Sequence, residues 1–215
     1  MKQASLLIDR LIVGQLATNC YLLTDRITQE TLIVDPGDDA EYITECLNRL
    51  QTKPKAIVAT HGHFDHILAV RALQLAYRIP FFLHPADLFL VKQMAVRANH
   101  YLPEKIKDPP PVVTKTLADR DELTIGKLAF RVSATPGHTP GSVSLYCQSE
   151  KIVLVGDLVF AHGAVGRTDF SYSDNSGLRQ SLQKIFSLPA YTVVYPGHGE
   201  PTTIEREKIF FNKLE

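Results

Sequence analysis

Apolar residues fall into short blocks separated by Gly, Pro and Asp, and the blocks differ in period. Leu6–Val13, Cys20–Thr24 and Thr31–Asp35 are apolar with β-branched or aromatic content and predict three strands. The turn signal Pro36-Gly37 ends the third. Behind a capping Asp38 or Asp39, Ile43, Cys46, Leu47 and Leu50 recur at helical spacing, so a helix over 40–50 is predicted, and Pro54 stops it. Residues 55–60 (KAIVAT) read as a short buried strand and Ile67–Arg78 as a helix carrying Ile67, Val70, Leu73 and Leu75. Pro80 precedes a strand at 81–83, and Pro85 opens a helix reaching about Val96. Residues 99–116 hold four prolines and little periodicity, which predicts a long surface loop of the kind that borders functional sites. Strands follow at 127–135, 142–148 and 151–156, with hairpins across 120–156. Asn175–Ser187 reads as a helix, Tyr191–Tyr195 as a strand and Thr203 onward as a final short helix. Strands and helices mix in both halves and no linker divides them, so one α/β (or α+β) layered domain over 1–215 is expected.

Composition narrows the function classes. The 215 residues are 45% hydrophobic and 21% charged, as in a soluble globular domain and unlike a disordered chain. With 23 basic and 23 acidic side chains there is no net charge, which removes the electrostatic case for a nucleic-acid or anionic-membrane partner. No apolar run approaches the ~18 residues of a membrane span, and Asp9 and Arg10 interrupt any signal-peptide core. Cys20, Cys46 and Cys147 are scattered without CxxC spacing, so neither a disulfide framework nor a zinc ribbon is indicated and a reducing cytoplasm is expected. Nothing in the composition points to an oligomeric state.

The eight histidines are not dispersed. Three Gly-containing turns that follow predicted strands carry five of them: 60–66 (THGHFDH), 135–141 (TPGHTPG) and 195–200 (YPGHGE). A fourth turn, 155–157 (VGD), ends a strand with a carboxylate. Gly62 lets His61 and His63 converge from one loop, while Asp65 and His66 open a helix and can point back to the same place. Imidazole with carboxylate suits zinc, with iron or manganese as harder alternatives. Four donors within six residues exceed what one ion takes from a single loop. With His138, Asp157 and His198 the set reaches seven, the number that two four-coordinate ions sharing one carboxylate require. Alone, His138 or His198 would read as a hydrogen-bonding residue and Asp157 as a turn or cap; three histidines and an aspartate packed into 61–66 have no such ordinary explanation.

These segments, with 19–22 (NCYL), 32–37 (LIVDPG), 135–142 (TPGHTPGS) and 166–170 (GRTDF), resemble the metallo-β-lactamase superfamily over essentially the whole chain, and within it the glyoxalase II-like (hydroxyacylglutathione hydrolase-like) branch. The resemblance implies a four-layer αβ/βα sandwich, two mixed sheets with helices outside and metals at one edge. It implies that His61, His63 and His138 hold a first ion, that Asp65, His66 and His198 hold a second, and that Asp157 bridges them. His66, and the lack of a cysteine in any ligand motif, argue against lactam hydrolysis. Only 17 residues follow His198, too few for the helical extension that supplies the glutathione site of full-length glyoxalase II, so the short hydrolase form is implied. Asp35 resembles the family's buried aspartate behind the ligands, with turn formation as its other reading.

The expected activity is hydrolysis of a thioester such as S-lactoylglutathione by a metal-bridging hydroxide, since metal-bound water ionises near pH ~7. Two Zn²⁺, less two aspartates and one hydroxide, leave a centre of about +1 that favours an anionic substrate. A thiolate of conjugate-acid pKa about 8.5 departs with little acid help, whereas an amide nitrogen needs a proton donor, and none is spare. Asp65 and Asp157 are the expected catalytic carboxylates, Asp65 also as a proton acceptor. Arg167 is expected either to bind a substrate carboxylate or to pair with Asp169. Tyr172 and the 99–116 loop are expected to border the pocket, and His162 is either a loop residue or a substrate-facing one. The competing reading is a mononuclear iron persulfide dioxygenase acting on glutathione persulfide, a class that shares these motifs, with His61, His138 and Asp157 as a two-histidine, one-carboxylate set.

Overall fold

The computed structural model describes residues 5–211. Strand β1 (Leu6–Val13) pairs antiparallel with β2 (Thr18–Asp25), and β2 with β3 (Glu30–Val34). Helix α1 (Ala40–Arg49) crosses to β4 (Lys53–Val58), which lies parallel to β3. Helices α2 (Phe64–Ile67) and α3 (Val70–Tyr77) lead to β5 (Phe81–Leu83). A 3-10 turn at Pro85–Asp87, then α4 (Leu88–Lys92) and α5 (Met94–Tyr101), lead to β6 (Lys115–Thr116), completing a six-stranded mixed sheet in sequence order. The second sheet holds β7 (Glu122–Ile125), β8 (Leu128–Ala134), β9 (Val143–Cys147) and β10 (Ile152–Gly156) as an antiparallel meander. After α6 (Asn175–Phe186), β11 (Val193–Pro196) joins parallel to β10, with β12 (Thr202–Thr203) outside it and α7 (Ile204–Phe211) last.

Burial of both faces explains the layering. In β2 every residue is buried, so the two-residue period divides it between two cores. Tyr21 and Leu23 face the second sheet, packing with Phe130, Val132, Val143 and Leu145, whereas Cys20 and Leu22 face the helices with Ile43, Leu47, Val70 and Leu73. The outer face of the second sheet, Val153, Val155 and Val194, is covered by Leu178, Leu182 and Ile185 of α6 and Ile204 of α7. The result is a helix–sheet–sheet–helix sandwich, the four-layer arrangement that the resemblance implies.

The elements follow the sequence pattern with two changes that matter for the site. The single helix expected over 67–78 is two helices, because the Ala69 N–H donates to the Pro36 carbonyl at 3.1 Å and leaves the helical ladder. The short α2 is thereby free to aim Asp65 and His66 at the sheet edge. The helix expected over 85–96 breaks at Gln93 and its second part runs on to Tyr101, so the Pro-rich loop begins at Leu102. Asn99 pins that loop, its Oδ1 accepting the Ile106 N–H at 2.6 Å and its Nδ2 donating to the Ile106 carbonyl at 3.1 Å. Among the described residues, no helix is long and apolar enough to cross a membrane.

Candidate metal centre

Five strand ends deliver the site. Asp35 follows β3, His61 and His63 follow β4, His138 follows β8, Asp157 follows β10 and His198 follows β11. The Val143 N–H donates to the Thr60 carbonyl at 2.8 Å, which ties the two sheets at this edge. Glycine permits the convergence: a Cβ on Gly197 would stand 2.3 Å from Asp157 Oδ1, and one on Gly62 would stand 3.0 Å from Asp87 Cβ.

Hydrogen bonds outside the cluster decide which lone pairs face inward. His138 Nδ1 lies 2.9 Å from the Arg167 carbonyl and His198 Nδ1 lies 3.1 Å from the Leu16 carbonyl. A carbonyl only accepts, so both Nδ1 atoms carry a proton and both Nε2 atoms are turned to the cluster. Thr60 gives its hydroxyl proton to Asp35 Oδ2 at 2.7 Å, so its oxygen accepts from His61 Nδ1 at 3.1 Å and His61 Nε2 faces the cluster as well. His66 Nδ1 lies 3.1 Å from Asp35 Oδ2, with Nε2 turned inward. His63 is reversed: its Nε2 meets the Tyr172 hydroxyl at 2.8 Å and its Nδ1 faces the cluster. Asp35, at φ 52°, thus braces two of these imidazoles, directly for His66 and through Thr60 for His61.

The inward atoms form two groups. His63 Nδ1 is 3.0 Å from His61 Nε2 and 2.9 Å from His138 Nε2. Asp65 Oδ2 is 3.6 Å from His66 Nε2 and 3.4 Å from His198 Nε2. Asp157 stands between the groups: Oδ1 is 3.5 Å from His66 Nε2, while Oδ2 is 3.6 Å from His138 Nε2 and 3.7 Å from His198 Nε2. Donors on one tetrahedral ion with bonds of about 2.0–2.1 Å lie about 3.3–3.4 Å apart, so both groups are close to the required spacing. His66 Nε2 and Asp157 Oδ1, both turned toward the cluster, are buried and out of hydrogen-bond geometry with every described protein group, while His66 Nδ1 faces Asp35. Buried polar atoms are normally satisfied, and a divalent cation satisfies these. The donor set therefore fits divalent metal. The three cysteines are buried elsewhere and none joins it.

Electrostatics separate the groups further. Burial, reinforced by neighbouring imidazoles, holds His61 well below the ordinary histidine range and brings His63 down to about 3, so these two imidazoles are neutral and open to a cation. In His66 burial works against protonation, but Asp157, Asp65 and Asp35 outweigh it and raise the group to about 10. Burial alone would raise Asp65; His66 and His198 instead hold it well below the carboxylate range, which makes it a better ligand than base. Without metal, a proton on His66 supplies the positive charge that the carboxylates demand. Metal uptake at pH 8 is therefore expected to release close to one proton from this group, read as the slope of calorimetric binding enthalpy against buffer ionisation enthalpy. A slope of zero would refute it. Because the folded pKa is raised, His66 contributes its stabilisation fully below about pH 6.5 and loses it as pH rises through about 10. The metal-free chain should accordingly melt at lower temperature at pH 10 than at pH 7.

The cluster opens into a cavity of about 200 Å³ with apolar walls from Leu16, Phe64, Tyr101 and Phe170. Tyr172 and Arg167 line it, as does Arg97 of α5, which the sequence pattern did not single out. Arg167 binds Asp169 through two contacts of 2.6 Å on the exposed rim. From the Pro-rich stretch only Tyr101, at the end of α5, reaches the cavity wall. His162 does not: it sits at φ 68° in a turn at 161–163 beside Glu207 and lines a separate cleft with Glu200 and Phe210. Also missed was Asp87, wholly buried, whose carboxylate accepts from the Gly62 N–H at 2.8 Å, the Gly141 N–H at 2.7 Å and the Thr139 hydroxyl at 2.7 Å. It joins the loop of His61 and His63 to the loop of His138.

Fold and donor set together define a metallo-β-lactamase-type protein. The sequence matches the Metallo-beta-lactamase superfamily over residues 13–198, and the chain belongs to that superfamily. It is 36% identical to an uncharacterized protein of Aquifex aeolicus, with 92% of each chain covered. It is 30% identical to the hydroxyacylglutathione hydrolase GloC of Haemophilus influenzae, covering 88% of this chain and 89% of that one. Among solved structures it resembles the BLEG-1 B3 metallo-beta-lactamase (TM-score 0.85, 38% identity, 94% and 97% covered). It also resembles TTHA1623 in a di-iron-bound form (TM-score 0.83, 34% identity, 93% and 96% covered).

Proposed function

We propose that the chain is a hydrolase of small-acyl thioesters, with S-lactoylglutathione as the test substrate, and that it holds two divalent ions. The observation that carries this reading is Asp157 set between two donor groups, at the floor of a cavity walled by apolar side chains and guanidinium groups. His61, His63 and His138 would hold the first ion, Asp65, His66 and His198 the second, and Asp157 both, with zinc as the expected metal. When bound, the ions supply Lewis acidity and a water ionising near pH ~7. The chain's own residues do the rest. Asp35, Thr60, Leu16, Arg167 and Tyr172 fix the imidazole orientations before substrate arrives. Leu16, Phe64 and Phe170 exclude bulk water around the reacting carbonyl, which strengthens charge interactions there. Burial raises the Tyr172 hydroxyl above its ordinary range, and its one bond in the site is to His63, so it is no ready acid for a departing nitrogen. A thiolate needs no such acid. The likeness to the Haemophilus influenzae hydroxyacylglutathione hydrolase supports the substrate class.

A second reading has its own support. The di-iron form of TTHA1623 makes iron a credible occupant, and two histidines with one carboxylate are an iron-type set. Metal analysis of protein purified without added metal, paired with three assays, separates the readings. About two ions per chain with S-lactoylglutathione turnover is the expected result. One iron per chain with oxygen uptake on glutathione persulfide would replace the hydrolase with a dioxygenase. Faster turnover of a β-lactam than of any thioester would move the activity toward that of the BLEG-1 enzyme.

A further inference from the structure

We infer that Arg97 is the specificity-determining residue for an anionic substrate arm that leaves the metal cavity through the groove along α5; this rests on the thioester reading. The inner cavity, about 200 Å³, is smaller than the roughly 300–1,000 Å³ that encloses a whole small-molecule ligand. It accommodates a short acyl group and the reacting carbonyl, and the remainder of a longer thioester has to lie outside. An open groove of about 930 Å³ adjoins it: Arg97 and Tyr101 line both. The other groove residues, Gln93, Val96, Asn99 and His100, include no carboxylate.

The two guanidinium groups of the cavity are not equivalent. They cap the ends of one stack: Arg167 lies over Phe170 at 4.5 Å, Phe170 stacks on Tyr172 at 5.2 Å with planes 12° apart, and Arg97 lies over Tyr172 at 5.4 Å. Arg167 is already neutralised by its two-point contact with Asp169. Arg97 has no acidic partner among the described residues, and its one side-chain hydrogen bond is a 3.4 Å contact from Nε to Gln93. Its terminal nitrogens therefore remain available as a fork for a carboxylate, held by the aromatic face of Tyr172 at the passage from cavity to groove. Tyr172 also bonds His63, so the distance from the anion site to the reacting centre is set through a single side chain.

The test compares two thioesters with the same lactoyl group: S-lactoylglutathione, which carries two carboxylates, and the uncharged lactoyl thioester of N-acetylcysteamine. In Arg97→Gln the preference for the charged thioester, the ratio of the two kcat/KM values, should fall about tenfold through KM, with Arg97→Lys in between. A residue that only supports the fold would lower both substrates alike and leave the ratio unchanged, which would overturn the inference. Calorimetric binding of S-methylglutathione to the metal-loaded protein gives a readout independent of turnover. About tenfold weaker binding by Arg97→Gln is expected. Equal affinity of the two proteins, or no binding by either, would overturn the assignment. Failure of the unaltered protein to hydrolyse either thioester, with S-methylglutathione binding still dependent on Arg97, would instead remove the hydrolase reading and leave the anion site standing.

Discussion

Replacing Asp157 with asparagine is expected to lower kcat/KM on a thioester by about 10³-fold or more, roughly 4 kcal/mol of barrier, and to leave fewer than two ions per chain. The size of the effect follows from position. Asp157 is the one carboxylate whose oxygens face both groups, Oδ1 toward His66 and Oδ2 toward His138 and His198. Asparagine keeps the volume beside Gly197, so the backbone contacts of the loop can persist. It loses the charge, and whichever way the amide turns, an N–H group points where a lone pair is required. The substitution also removes the first of the three acids that hold His66 protonated, so proton release on metal uptake at pH 8 should drop below that of the unaltered chain. Metal analysis, steady-state kinetics and the buffer-dependent calorimetric slope measure the three effects. Two tightly held ions and turnover within tenfold of the unaltered chain would take Asp157 out of the centre.

The turns that carry the candidate donors were legible because their chemistry is local: His61, His63, Asp65 and His66 lie within six residues, and each remaining donor follows a glycine at a strand end. The elements were legible for the same kind of reason, since two-residue and helical periods are read within one element, whereas their four-layer arrangement came with the resemblance. What escaped is long-range. Asp87 bonds Gly62, Thr139 and Gly141, which stand 25, 52 and 54 residues away, and in sequence it looks like any acid opening a helix. Arg97 was hidden because the helix opened by Pro85 was expected to end at about Val96, whereas the break at Gln93 starts a new helix that carries Arg97 over Tyr172. His162 was expected as a loop or a substrate-facing residue, and its left-handed backbone and the Glu207 carboxylate hold it in a separate cleft with Glu200 and Phe210. For Arg167 the sequence left two roles open, and the short contacts to Asp169 show the pairing.

Replacing Asp87 with alanine is expected to destabilise the chain by about 3 kcal/mol, lowering the melting midpoint by roughly 6–12 °C for a protein of this size. The carboxylate is wholly buried and takes three short hydrogen bonds, so its removal strands the Gly62 and Gly141 N–H groups, while the Thr139 hydroxyl keeps Ser142 Oγ at 2.7 Å. Part of that loss is offset, because burial already penalises the charged side chain and raises its pKa despite those three bonds. Stability is only half of the expected result. Gly62 lies between His61 and His63, and Thr139 follows His138, so all three candidate donors of the first group depend on amides or hydroxyls that Asp87 holds. Metal affinity should fall about 10–100-fold, the usual effect of losing a partner that orients ligands. Asp87→Asn should fall between, since one oxygen still accepts while the amide nitrogen confronts a donor. Asp119→Ala is the contrast: that carboxylate is exposed, pairs with Lys184 at 2.9 Å, and should cost no more than about 1 kcal/mol. Thermal unfolding with and without metal, together with competitive chelator titration, reads both effects. If Asp87→Ala melted within 2 °C of the unaltered chain and kept its metal affinity, the two ligand loops would have to be held together by the Val143–Thr60 backbone bond and the packing beneath them, and not by this carboxylate.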